Sequence, residues 1–108
     1  MLTPQAFFDR LREHGLGSVP EALGTCGFEL EGPGGGHWVV DFTRGTVTAG
    51  PQPASRVVRA ATLDFIALVE GRMSVSDGIL TQRLHLTGEA TGFHPLAQTL
   101  HQLRERMP

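Results

Sequence analysis

The chain predicts a single α+β domain with a five-stranded, mainly antiparallel sheet, and three observations carry that prediction. Short stretches alternate apolar and polar residues, the period of a strand with one buried face. Apolar residues at helical spacing precede the first strand, separate the fourth from the fifth and follow the last. The length of 108 residues suits one domain with one core. The expected order is one helix, four strands, two helices, one strand and one helix, with no internal repeat or linker.

Thr3-Pro4 reads as an N-cap followed by proline at the first helical position. The helix then carries Phe7, Phe8 and Leu11 on one face to His14, with Gly15 as its stop. A short helical turn is expected at Pro20 to Leu23. Cys26, Phe28 and Leu30 alternate with Gly27, Glu29 and Glu31, which predicts the first strand. Gly32-Pro33-Gly34-Gly35-Gly36 is a hairpin loop, and His37 to Thr43 returns with Trp38, Val40 and Phe42 facing inward. The opposite register would turn Asp41 inward and cost several kcal/mol unless that carboxylate were partnered. Arg44-Gly45 turns the chain into Thr46 to Ala49, so these three strands form an antiparallel meander. Gly50-Pro51-Gln52-Pro53 ends the third strand, and Ser55 to Ala61 is the fourth.

The period then changes. Thr62 is placed to cap a helix from Leu63 to Glu70, with Asp64 near its positive end and Gly71 as the stop. Ser74 or Ser76 opens a short helix around Asp77 to Thr81. Leu84 and Leu86 alternate with His85 and Thr87 as the fifth strand, closed by Gly88. From Thr91 a last helix carries Leu96, Leu100, Leu103 and Met107 on a narrow stripe, with Pro95 tolerated in its first turn.

Composition removes whole classes of function. A formal charge of −2 creates no bulk attraction to nucleic acid or to an anionic membrane. No apolar run reaches the roughly 20 residues of a bilayer span, and Met1-Leu2-Thr3-Pro4-Gln5 is not a signal peptide. The lone cysteine, Cys26, makes the cytoplasm the expected location. The chain has no Lys, Asn or Tyr, and all nine basic residues are Arg. That bias suits a GC-rich bacterial genome and leaves no Schiff-base or phosphate-binding lysine.

The remaining candidate chemistries are weak. His94 and His101 lie two helical turns apart, about 10 Å of rise, too far for one metal site from those two alone. The chain holds no His-x-x-x-His or Cys-x-x-Cys spacing. Cys26 falls mid-strand on the apolar face, where a thiol acts as a small hydrophobe rather than a nucleophile. Glycines 32 to 36 lie between strands and have His37 where a dinucleotide fingerprint needs its third glycine. Arg104-Glu105-Arg106 reads as a solvated helix end. The residues therefore point to no metal, no cofactor and no enzyme.

Three pieces in order resemble the sterol carrier protein domain family: the strand Gly36-His37-Trp38-Val39-Val40-Asp41-Phe42, the helix Asp64 to Met73, and Ile79 to Glu89 followed by an apolar last helix. Each piece alone is degenerate; their order and spacing from Gly36 to Leu103 carry the resemblance. Gln82 departs from it, standing where the family usually has glycine before the basic residue of the last strand. The resemblance implies a twisted sheet with helices on one face and an apolar tunnel between them. It also implies binding of fatty acyl chains, sterols or isoprenoid-like molecules.

The candidate cavity lining is Phe28, Trp38, Val40, Phe42 and Val47 from the sheet, with Phe65, Ile66, Val69, Leu96, Leu100 and Leu103 from the helices. Composition alone favours these residues as a dense core; the resemblance favours a cavity between the sheet and the helices after Thr62. Arg59 is the candidate head-group contact if it points inward, which the parity of Val57-Val58-Arg59-Ala60 leaves open. The function expected is carriage of an apolar small molecule or lipid, with neither nucleic-acid binding nor stable membrane insertion. The alternative is an accessory domain that acts as a homodimer or beside a partner enzyme.

Overall fold

The computed structural model describes residues 2–17, 19–89 and 91–107. The helices are α1 (Pro4–His14), α2 (Thr62–Val69), α3 (Val75–Leu80) and α4 (Phe93–Arg106). The strands are β1 (Thr25–Glu31), β2 (Gly36–Asp41), β3 (Thr46–Ala49), β4 (Arg56–Ala61) and β5 (Leu84–Gly88), with a 3-10 turn at Glu21–Leu23. Element order and type follow the sequence reading throughout.

Local chemistry explains most boundaries. Thr3 Oγ1 accepts the Ala6 N–H at 3.1 Å, and the Gly15 N–H closes α1 on the Leu11 carbonyl at 2.9 Å. Ser74, not Ser76, caps α3 by accepting the Asp77 N–H at 3.1 Å, so this helix starts two residues earlier than expected. Thr62 does not cap α2: Ala61 takes the N-cap without a side-chain bond, and Thr62 is buried in the first turn. The last helix starts at Phe93 rather than Thr91, because Gly92 adopts a left-handed φ of 95° before it.

The sheet order is β3-β2-β1-β4-β5. β1 pairs antiparallel with β2, with Phe28 opposite Trp38, and β2 pairs antiparallel with β3. β4 lies parallel to β1, with Phe28 opposite Val58, and antiparallel to β5. The parallel pair requires the chain to leave β3 at one edge and cross the sheet to reach β1's free side. Residues 50–55 make that crossing over the outer face. A Cβ on Gly27 would lie 3.4 Å from the Ala54 Cβ, so glycine fits beneath this strap. Val39 also points to the outer face yet is buried, which simple alternation would not predict.

The helices cover the inner face. Phe8 of α1 stacks on Trp38 at 4.8 Å between ring centroids and also meets Phe28, Phe65 of α2 packs edge-on against Phe28, and Phe7 packs against Phe8 and Phe65. This aromatic half of the core spans β1 and β2. An aliphatic half, built from Val58, Leu68, Val75, Leu84, Leu96 and Leu100, spans β4 and β5.

Candidate functional site

The expected lining residues divide between these two halves. Phe28, Trp38, Val40, Phe42, Phe65, Ile66, Val69 and Leu103 are buried core residues, with Val47 partly buried against them. They pack chiefly on one another, although Leu103 also lines a cleft of about 230 Å³ between α1 and α4, with Leu11, Leu16 and Met107. Leu96 and Leu100, alone among the expected residues, line an apolar void between sheet and helices. That void is about 10 Å³, room for roughly one water-sized probe. Phe7 and Phe8 supply volume between sheet and helices that the sheet stripe alone does not show.

The remaining void walls are Val58 of β4, Leu84 and Leu86 of β5, Leu68 of α2, Val75 of α3, and Phe93 and Ala97 of α4. Sequence reasoning omitted them as lining, although the signals were present. Leu84 and Leu86 already alternated as a strand. Phe93 extends the Leu96, Leu100 and Leu103 stripe backwards by three residues, a helical interval.

Outside this void lies a groove of about 230 Å³ between the end of α2, the start of α3 and α4. Its walls are Leu68, Gly71, Met73, Ser74, Val75, His94, Ala97, Gln98 and His101. Leu68, Val75 and Ala97 wall both the groove and the void, so the two adjoin at these three side chains. His101 bridges α4 to α2, its Nδ1 lying 2.9 Å from the Val69 carbonyl oxygen. Gly71 is required beside it: a Cβ there would stand 2.8 Å from the imidazole Cε1.

The face left open in the sequence is settled at β4: Arg59 points outward and Arg56 inward. Arg59 is exposed on the outer face and lines a polar cleft of about 410 Å³ with Glu31, Asp64, Gln82, Arg83 and His85. Arg56 is the inward arginine, on the same parity as Val58 and Ala60 and only 4% exposed. Its Nε donates to the Thr91 carbonyl at 2.6 Å, Nη1 donates to the Leu23 carbonyl, and Nη2 meets Glu89 Oε2 at 3.1 Å. A buried guanidinium with every edge occupied by protein is a structural tie, not a free anion receptor.

Cys26 faces Arg56 across the parallel pair and is fully buried. Burial pushes its thiol up to about 11, against the smaller opposing pull of the Arg56 charge. A thiol so protonated is a poor nucleophile at neutral pH, consistent with its reading as a small hydrophobe. Among the described residues no group of three or more His, Cys, Asp or Glu is arranged to hold a metal ion. No helix among them is long and apolar enough to cross a membrane.

Gln82, the departure noted in the sequence, has φ 60° and is the one non-glycine described at positive φ. It occupies the residue after the cap of α3. Arg83 N donates to the Gly78 carbonyl at 2.8 Å and Gln82 N to the Ile79 carbonyl at 3.1 Å, the paired bonds of a Schellman stop. Glycine at this position would thus serve the left-handed turn itself.

The architecture is shared with solved structures. Sterol carrier protein 2 from Yarrowia lipolytica, in its apo form, superposes with a TM-score of 0.77 at 19% identity, covering 94% of this chain and 91% of that one. The palmitated SCP2L2 of Aedes aegypti gives 0.71 at 20% identity, covering 93% and 96%. Aedes aegypti sterol carrier protein-2 in complex with palmitate gives 0.67 at 14% identity over 100% of both chains. None of the curated proteins matches this chain. The model of the SCP-2 sterol transfer family matches residues 8–101, and the chain belongs to that family.

Proposed function

We propose that the protein carries an apolar ligand, a fatty acyl chain or a molecule of similar shape, in the aliphatic half of its core. The observation that carries this reading is the shared wall: the groove and the inner void meet at Leu68, Val75 and Ala97. Movement of α4 away from α2 and α3 would merge them into one channel over β4 and β5. The palmitate held by two structural neighbours supports the same ligand class. A chain that hides on the order of 300 Å² of apolar surface gains about 7 kcal/mol gross. Ordering and association costs bring the affinity to roughly micromolar, which suits a carrier that must also release.

Titration with a fluorescent fatty acid tests the proposal. Saturable one-to-one uptake is expected from the wild-type chain, and Ala97→Phe should abolish it by plugging the shared wall. Circular dichroism of the variant separates blockage from unfolding. Absence of uptake by the wild-type chain would remove the carrier reading. Uptake unchanged in a folded Ala97→Phe variant would place the path elsewhere. The accessory-domain reading draws on a different feature, the exposed Leu63, Ile79 and Leu80 at the start of α2 and the end of α3.

A further inference from the structure

We infer that the groove between α2, α3 and α4 is a head-group subsite for a single-chain amphiphile with an anionic head, His94 and His101 supplying its cationic face; this rests on the carriage reading above. On that reading the apolar tail passes inward at Leu68, Val75 and Ala97, and the void beyond that wall is lined entirely by apolar side chains. The polar end must then stay in the groove. The polar side chains lining the groove are Ser74, His94, Gln98 and His101, with no carboxylate in the lining.

His94, Gln98 and His101 fall at intervals of four and three on α4, so they share one helix face. The Val69 carbonyl can only accept, so the Nδ1 of His101 at 2.9 Å carries the proton. In the neutral ring, Nε2 is consequently an acceptor, unsuited to an anion. Protonation converts it to a donor and gives the groove a positive charge. Ser74 Oγ accepts the Asp77 N–H at 3.1 Å, which leaves its hydroxyl proton to donate.

The charges around these imidazoles limit the effect. On α4, Glu105 Oε1 lies 3.5 Å from His101 Nε2, but that carboxylate is largely solvated. On the α2 side Glu70 is already paired with Arg72 at 2.8 Å, and Asp77 lies in the first turn of α3. A bound anion therefore shares the protonated imidazole with Glu105, and the gain is modest.

Dodecanoate and dodecanol separate head from tail by isothermal titration at pH 6 and pH 8, where the carboxylate stays ionised. Dodecanoate should bind about threefold more tightly at pH 6, the scale of an exposed ion pair. Dodecanol should bind equally at both. The double variant His94→Gln/His101→Gln should lose the pH dependence for dodecanoate and keep the affinity for dodecanol. A pH effect that survives in the double variant, or one shared equally by dodecanol, overturns the head-group assignment. Dodecanol binding together with pH-independent dodecanoate binding overturns it alone, whereas failure of both ligands to bind overturns the carriage reading as well.

Discussion

Arg56 Nε lies 2.6 Å from the carbonyl oxygen of Thr91, so a buried guanidinium in β4 holds the segment that leads into α4. The same side chain reaches the Leu23 carbonyl, joining the turn before β1 to the turn after β5. Two distant stretches of chain are fastened at one point. A Cβ on Gly92 would lie 2.7 Å from Arg56 Nη2, so the α4 entry is also shaped to the guanidinium.

Arg56→Met should cost about 2–4 kcal/mol, since two carbonyls lose a charged donor in a buried setting. Glu89 adds little to that figure, because its side chain is 62% exposed. Urea denaturation measures the loss directly. A change under about 1 kcal/mol would mean that water replaces the guanidinium without penalty.

Cys26 sets an alkaline limit on stability. Its thiol is raised from an ordinary value of 9.0 to about 11 in the fold. Above pH 9 the unfolded chain releases this proton while the folded chain keeps it, so stability falls as pH rises between those values. The loss approaches about 2–3 kcal/mol by pH 11. Cys26→Ala should lose some packing energy at pH 7 yet show a flatter stability profile from pH 9 to 11. Parallel profiles for the two proteins would contradict a thiol held protonated by burial.

Gln82→Gly should stabilise the chain by about 0.5–1 kcal/mol, the net of relieved left-handed strain and glycine's greater unfolded-state freedom. The turn has its two Schellman bonds already, so no contact need change. Thermal unfolding of the variant provides the readout, and a lower midpoint would count against strain at this residue.

Trp38 is 6% exposed and stacked on Phe8. Its emission should be blue-shifted, as an inward-facing register requires. It does not line the void or the groove, so emission should stay nearly constant when a fatty acid binds. A large ligand-induced shift would locate the ligand in the aromatic half of the core.

The order of elements was legible in the sequence because each has its own period and its own punctuation. Thr3-Pro4 at the start of α1 and glycines 32 to 36 between β1 and β2 act within a few residues of the features they specify. What sequence concealed depends on distant partners. Alternation assigns Val39 to solvent, but the strap of residues 50–55 covers it. Neither Arg56 nor Arg59 announces its face, because β4 contains apolar residues on both parities and only pairing with β1 decides between them. The packing between sheet and helices is concealed for a related reason. The sheet stripe and the later helices face each other in the sequence pattern, but Phe7 and Phe8 arrive from the opposite end of the chain to share that space. The groove was missed because its polar residues, Ser74, Gln98 and two histidines, are unremarkable until α3 and α4 are brought together.

The parallel pairing of β1 with β4 also has a consequence for the order in which the chain emerges during synthesis. Residues up to Ala49 complete the β1-β2-β3 meander, yet they leave one long side of β1 with unsatisfied peptide groups. That side is closed only when Arg56 to Ala61 leave the ribosome, and β4 itself stays open until β5 follows. The growing chain thus carries a sticky strand edge, flanked by Phe28 and Trp38, over much of its translation. Slow codons placed between β3 and β4 would prolong that window and should favour aggregation over folding.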